Sequence, residues 1–596
     1  MGASRSPKAN GAKEFYFAIC SIITAINTNI HKFLKIKNWA GTWKRLNSKE
    51  KIWLGIFFVI ILFSISFLIG NFYRGQTKEI SASGGTYVEA ASESPHNLNP
   101  LLATNDSDRD FSRLIFSSLL KYNEKSEFVP DLAASYALSK DRKVYTIKLK
   151  DRVFWHDGEP FSASDVVFTV NAVQNHEYNS PLRISWQGVK VEALNENTVI
   201  LTLKTPYSAF VENLALLGIL PKHVWSKVMP QNFPLADFNI KPIGTGPYRF
   251  VKLQKDLLGK ITSVNLTANS DYFASPPLIK NLIFKFYLSE EEAVSAFNRK
   301  EADGLLLQTA QNKNQLRGLS SSSFFSLPSL RVYALFLNTD DPILKDRDVR
   351  LAINYAVNRE ELLNKLLDNE GKIAAGPIPP GLPGSSPDIS GYDFNPKKAR
   401  EILEKTGWVK NENGVYAKKL NKKDKKAVPL KLSIATAKSI QLMAVLIRDY
   451  LKNAGIETDL KIVSLSELPQ NYLRTKNYNA ILIGESYTSS VDPYVFWHGA
   501  AIKDSGLNLS LYNNKKVNKA LEDARLIIDP SKRARILEDF QKLVLKDAPA
   551  VFLYSPNYIY AVKNTVKNIN LVSLATPSSR FLKINEWYIK TERIWK

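Results

Sequence analysis

The sequence predicts an α/β protein whose bulk lies beyond a single membrane-spanning helix. Residues Ile52 to Gly70 form an uncharged apolar run, IWLGIFFVIILFSISFLIG, preceded by a basic segment and followed by more than 500 residues. Between Val428 and Trp497 strand-like and helix-like segments alternate as β-α-β-α-β, the order of a largely parallel, buried sheet. The portion beyond the run is too long for one core, so two or three packed lobes are expected.

The elements are taken in chain order. Residues 1–51 carry Arg5, Lys8, Lys13, Lys32, Lys35, Lys37, Lys44, Arg45, Lys49 and Lys51 against only Glu14 and Glu50. Such an excess holds a leader in the cytoplasm and places the large domain outside the cell or in the periplasm. At roughly 1.5 Å per residue, the run 52–70 crosses about 30 Å of hydrocarbon. A cleaved signal would be shorter, with small residues close behind; Asn71-Phe72-Tyr73-Arg74 follow instead. Cys20 is the only cysteine and sits after Ile19, which does not suit lipid attachment, and no disulfide is possible. Residues 15–30 are expected to form an interfacial or packed helix, and residues 71–83 a short polar tether.

From Gly84 the chain reads as globular. Lys143–Lys150 alternates as a half-buried strand, and Thr198–Leu203 is another. Ser162 and Asp165 form a capping box for a helix that turns Val166, Val170 and Val173 inward. Pro342–Asn369 gives two helices, the first burying Val349, Ala352, Ile353 and Ala356. The second is capped by Asn358 and buries Leu362, Leu363, Leu366 and Leu367. Asn395-Pro396 opens a further helix that Gly407 closes. Next come the strand PLKLSIAT, a helix near 438–453, the strand ETDLKIV, a short helix near 467–473, and the apolar strand Ala480–Gly484.

In parallel sheets ligands lie outside the carboxyl ends of strands. The loop 485–497, with Glu485, Tyr487, Asp492 and Trp497, is therefore expected to face a cleft suited to an amine-bearing ligand. The loop 92–104, with His96, Asn97 and Asn99, leaves another strand, and Asn338 ends a third.

Several patterns favour structure over chemistry. Trp155-His156-Asp157-Gly158 reads as a turn, since no nucleophile elbow accompanies it. Asp106, Asp108 and Asp110 have calcium-loop spacing, yet Phe111 stands where glycine is required, so helix capping is expected. Gly244-Thr-Gly246 precedes Pro247 and a strand, which argues for a tight strand entry and against a phosphate loop. Six scattered histidines offer no metal pair, and no cofactor or metal is expected. The net charge of +23 includes a lysine run at 418–426, read as a solvated hairpin tip, and no nucleic-acid partner is expected.

The motifs also carry a resemblance. Glu127–Ala133, Tyr145–Leu149 and Val153–Thr169 resemble the signature of the family 5 extracellular solute-binding proteins, the dipeptide, oligopeptide and nickel receptors of ABC importers. Gly244–Tyr248, Asn338-Thr339, Asp348–Ile353, Gly376–Pro380, Tyr392–Trp408, Asp492-Pro493, Asn508–Tyr512 and Pro549–Ser555 keep the family's order. The resemblance implies a two-lobe periplasmic-binding-protein-like fold of type II, of the large peptide-binding subgroup. Lobe I would comprise 84–328 plus 552–596, with an extra subdomain over 111–240. Lobe II would comprise 329–551, with hinges near Leu327–Arg331 and Val551–Ser555.

The family further implies a receptor that captures a short peptide or peptide-like solute and hands it to ABC permease subunits, without chemistry on the ligand. Asn97, Asn99, Asn338, Glu485, Tyr487, Asp492 and Trp497 are the expected substrate-binding residues. Peptide-specific members place an acid where this chain has Ser489, so amine capture would pass to Asp492 or Glu485, or the ligand lacks that amine. A metal chelate or oligosaccharide on the same fold, and an anchored wall-peptide hydrolase, are the alternatives.

Overall fold

The computed structural model describes residues 46–123, 127–307, 310–317, 319–420, 426–464, 467–488, 490–503, 506–527, 529–571 and 576–596. The expectations for most of the leader, for Cys20, for Ser489 and for the tip of the lysine run lie outside the described residues. The chain divides into two units, 1–83 with 590–596, and 84–589.

The first unit is built on the helix Ser48–Gln76. Asn47 caps it, its side chain accepting from Glu50 N while Glu50 accepts from Asn47 N (both 2.9 Å). None of its residues is buried, and it is long and apolar enough to cross a membrane. The segment expected to be a tether is different. The helix runs on to Gln76, and Thr77–Ala82 forms a strand paired antiparallel with Lys590–Trp595. TKEISA and KTERIW each supply an uninterrupted ladder of backbone donors and acceptors, which a loose linker would leave to water. Residues 590–596, assigned to lobe I from the sequence, group with the helix instead.

In the second unit a 12-stranded sheet runs through the molecule. One half holds Glu457–Val463, Lys431–Ala437, Ala480–Ser486 and Arg331–Leu337; the other holds Gly304–Leu307, Thr86–Ala91, Asn281–Phe286, Ile261–Ala268 and Tyr248–Lys255. The strand Ala550–Lys563 belongs to both halves: residues 550–556 pair with Arg331–Leu337 and Gly371–Ile373, and residues 557–563 with Ser322–Pro328 and Gly304–Leu307. The second crossing joins Pro328 to Arg331. The two are tied together, since Ser329 N donates to Pro556 O (3.1 Å) and Ser555 Oγ donates to Ser329 O (3.1 Å). Hydrogen-bonded strands thus connect the two halves of the sheet at both crossings, where hinges are expected from the sequence.

Local signals act as expected. The helix Ala163–Gln174 starts at Ser162 with its capping box and buries Val166, Val170 and Val173. Arg347–Ala356 and Arg359–Leu367 bury the expected apolar faces, with Leu363 and Leu366 only half-buried. The parallel strands Lys431–Ala437, Glu457–Val463 and Ala480–Ser486 are connected by the helix Gln441–Asn453 and by a single π-helical turn at Pro469–Leu473. An antiparallel four-stranded sheet, Ala133–Leu138, Val144–Leu149, Thr198–Thr202 and Lys190–Asn195, forms the body of the extra subdomain.

The Trp-His-Asp-Gly motif is a turn, with Gly158 at φ +92°. His156 is a bracket for the strand entry. Its Nδ1 accepts from Gly244 N (3.3 Å) and its Nε2 donates to Gly246 O (3.1 Å). Both glycines are required there: a Cβ on Gly244 would meet Ile115 O at 1.9 Å. Burial lowers the His156 pKa to about 4, so the folded state resists a proton that the unfolded chain accepts near pH 6.5. His156 therefore contributes its full stability above about pH 6.5, and this is lost as pH falls toward 4, a loss of roughly 3 kcal/mol. Urea unfolding of wild type and His156→Gln should show the stability gap narrowing by about that amount between pH 7 and pH 4. A constant gap would remove His156 from the pH response.

Candidate functional site

A cavity of about 640 Å³ opens between the lobes, within the range of sites that enclose small ligands. Its main wall is one face of the helix Asp106–Ile115, which presents Asp106, Arg109, Ser112 and Arg113 at helical spacing. Lobe II contributes Leu330, Arg331, Ser486, Tyr487 and Thr488. The helix is held by its N-terminus: Asn105 accepts from Asp108 N (2.7 Å), and Asp108 gathers the amides of His96 (2.7 Å), Asn97 (3.1 Å) and Thr104 (2.9 Å). Asp108 thus organises the loop and the cap, while Asp106 pairs with Arg109 and Asp110 with Arg580.

The wall carries both signs of charge. Arg109 is committed to Asp106 (3.0 Å) and to Thr104 O (3.1 Å). Arg331 donates through Nε to Ser486 Oγ (3.0 Å). Arg113 differs: no hydrogen bond or ion pair holds it among the described residues, and its Nε is buried without a partner. Burial pulls its pKa below the ordinary arginine value. On the acidic side, burial and then the neighbouring Asp106 and Asp108 raise the carboxyl of Glu93, another wall residue. A guanidinium largely stripped of water and only partly compensated, here by the charges of Asp131 and Asp110, is costly to keep unless something binds it.

Of the seven expected residues, the structure places Tyr487 on the cavity wall and the other six elsewhere. Glu485 belongs to the strand Ala480–Ser486, which is longer than the sequence suggested. It pairs opposite Val332, and strand alternation turns its side chain to the same buried face as Ile481. Burial pushes its carboxyl well above the usual range, and it accepts from Tyr487 OH (3.3 Å). Trp497 is fully buried beside Phe336 and Phe552, a core residue of lobe II. Asn338 donates to Tyr478 O (2.9 Å) and accepts from Asp340 N (3.0 Å), closing its strand end. Asn99 is buried, donating to Asn239 Oδ1 (2.9 Å) and accepting from Leu101 N (2.9 Å). Asn97 is half-buried and lends its amide to Asp108.

Asp492 has a different task. Arg525 grips it through Nη2 (2.6 Å) and Nε (3.0 Å), and Tyr207 OH from the subdomain donates to it (2.9 Å). Nearby, Glu212 of the subdomain accepts from Thr488 of lobe II and from Tyr122. Ser208 N also donates to Arg525 O (2.8 Å). The bonds of Tyr207 to Asp492, Thr488 to Glu212 and Ser208 to Arg525 cross between subdomain and lobe II and tie the two together. Tyr207→Phe removes one of them and should weaken ligand affinity about fivefold, near 1 kcal/mol, at unchanged thermal stability. Calorimetric titration checks this, and equal affinity would show that the hydroxyl does not favour closure.

Two lobes joined by paired strands, with a charged cavity between them, are the architecture of a binding protein that encloses a small solute. The chain belongs to the bacterial extracellular solute-binding proteins, family 5, whose middle-region model matches residues 127–505. It is 28% identical over 526 residues to the oligopeptide-binding protein AppA of Bacillus subtilis, covering 85% of this chain and 92% of that protein. The structure of that AppA in complex with a nonapeptide aligns with a TM-score of 0.72 at 26% identity, covering 86% of this chain and all of that one. NikZ from Campylobacter jejuni, in complex with Ni(L-His), aligns at 0.71 with 28% identity, covering 84% and 99%.

Proposed function

We propose that this chain captures short peptides between its lobes and delivers them to the permease subunits of an ABC importer. The observation that carries the reading is Arg113, a half-buried arginine on the wall of the inter-lobe cavity whose Nε is buried without a hydrogen-bond partner. It is a ready-made counter-charge for a carboxylate, with Arg331 on the facing lobe. Glu93 and Asp106 supply acid for an amine, the task that the sequence suggested for Asp492 or Glu485. Opposite charges on one wall fit a zwitterionic peptide better than a neutral sugar. An amino-acid metal chelate also presents carboxylates, and is the second reading.

The helix Ser48–Gln76 would cross the membrane once, with the leader in the cytoplasm and the lobes outside. No step of the proposal alters the ligand: capture favours the closed lobes, and the permease reads that form. Mass spectrometry of solutes released by denaturing residues 84–589 should return intact short peptides. Recovery of metal chelates alone would favour the second reading, and shortening of an added peptide mixture would reveal a hydrolase.

A further inference from the structure

Two-stranded ribbons are marginal in water unless a third surface supports them. The ribbon Thr77–Ala82 with Lys590–Trp595 leads directly out of the apolar helix. It is fastened to the helix end by specific bonds. Arg593 Nε donates to Thr77 Oγ1 (2.8 Å) and its Nη2 to Arg74 O (3.1 Å). Lys596 donates through N to Gln76 O (3.0 Å) and through Nζ to Gly75 O (2.8 Å). The Trp595 ring meets the Tyr73 ring edge-on at 5.7 Å.

This corner is apolar and partly exposed. Phe72, Tyr73, Ile594 and Trp595 are 48%, 41%, 44% and 39% exposed, among Arg74, Lys78, Arg593 and Lys596. Its depth follows from the helix. The run 52–70 spans the hydrocarbon, and Tyr73 lies about 4.5 Å beyond its end at the helical rise per residue. That is the level of phospholipid headgroups, where tyrosine and tryptophan concentrate and where basic side chains reach the phosphates.

We infer that the strand Lys590–Trp595 is a second membrane contact, seating Trp595 and Ile594 at the headgroup boundary beside Tyr73, on the outer face of the bilayer. The inference rests on the reading of Ser48–Gln76 as a spanning helix. The occupant of the corner is phospholipid, argued from its continuity with that helix and from its basic rim. The chain is thereby held to the bilayer at two points of its sequence separated by more than 500 residues.

The test uses the full chain carrying Cys20→Ser, reconstituted in bilayer discs of phosphatidylcholine and phosphatidylglycerol. Nitroxide labels are placed singly at Ile594→Cys, at Phe63→Cys in the middle of the helix, and at Leu258→Cys on an exposed turn. The ratio of collisions with oxygen to collisions with a water-soluble nickel chelate reads depth. The label at 594 should show a ratio several-fold above that at 258, falling when Trp595 and Tyr73 are both replaced by alanine. A ratio at 594 equal to that at 258, with 63 in hydrocarbon, overturns the inference and leaves the spanning helix intact. A water-exposed label at 63 overturns both.

Discussion

Arg113→Ala should weaken peptide binding about 100-fold, close to 3 kcal/mol, while leaving the ligand-free protein as stable as wild type or more so. The two halves of this expectation come from one fact. Among the described residues Arg113 makes no hydrogen bond or ion pair, and attraction to Asp131 and Asp110 only partly offsets the burial of its charge, so its removal breaks no paired contact and relieves a poorly compensated charge. In the complex the same guanidinium would meet a carboxylate in a site emptied of water, where loss of a charge-assisted pair costs this much. Arg113→Lys should recover only part of the affinity, because a point charge cannot fork onto two oxygens. Arg109 lines the same wall but is already paired with Asp106, so Arg109→Ala should cost only a few-fold. Isothermal titration with a mixed peptide ligand, beside thermal unfolding, reads both halves. Unchanged affinity in Arg113→Ala would remove the proposed carboxylate site.

The largest effect on folding should come from Arg580→Met. Arg580 is buried and forks onto Asp110 (2.9 and 2.5 Å), while its Nε reaches Glu89 (3.0 Å). Glu89 in turn accepts from Tyr87 (2.5 Å) and Tyr560 (3.0 Å). The network joins the first strand of lobe I, the cavity helix, the long hinge strand and the segment 577–581. Methionine fills the volume but leaves two buried carboxylates without a cation, a loss of about 3–5 kcal/mol. The sign of its pH response is distinctive. Orphaned buried carboxylates gain stability by holding protons, so their folded pKa values rise above the unfolded ones. The variant should therefore recover relative to wild type as pH is lowered from 7 toward 5, and lose ground as it rises. Urea midpoints at pH 5, 6 and 7 test this. A deficit independent of pH would place the cost in packing and not in charge.

Much of the architecture was legible because its signals are local. Ser162 with Asp165, Asn358 with Glu361, and Asn395-Pro396 each name their own helix start. The parallel sheet between residues 431 and 486 follows from period and order alone. The site was less legible, for a physical reason. Residue type does not reveal a distant partner, and Asp492 looked available because Arg525 and Tyr207 lie 33 and 285 positions away. For Glu485 the error was one of parity: two further residues of strand turned a supposed loop carboxylate into a core acid. Trp497 followed the usual fate of a large aromatic ring near a sheet. Arg113 was missed although its signal was present, since Asp106, Arg109 and Arg113 recur at helical spacing and were passed over for the aspartates. The ribbon beside the membrane could not be read, because each of its strands is short, polar and without a nearby complement.

That ribbon also sets an order of events during synthesis. Thr77–Ala82 leaves the ribosome first and waits, edge unpaired, while the rest of the domain is made. An open edge of this kind invites wrong partners, and closing so long a loop is slow. Its alternating Lys78 and Glu79 discourage such adhesion in the interval. Nascent chains stalled before residue 590 should therefore expose Thr77–Ala82 to proteases that spare it once translation has passed Trp595.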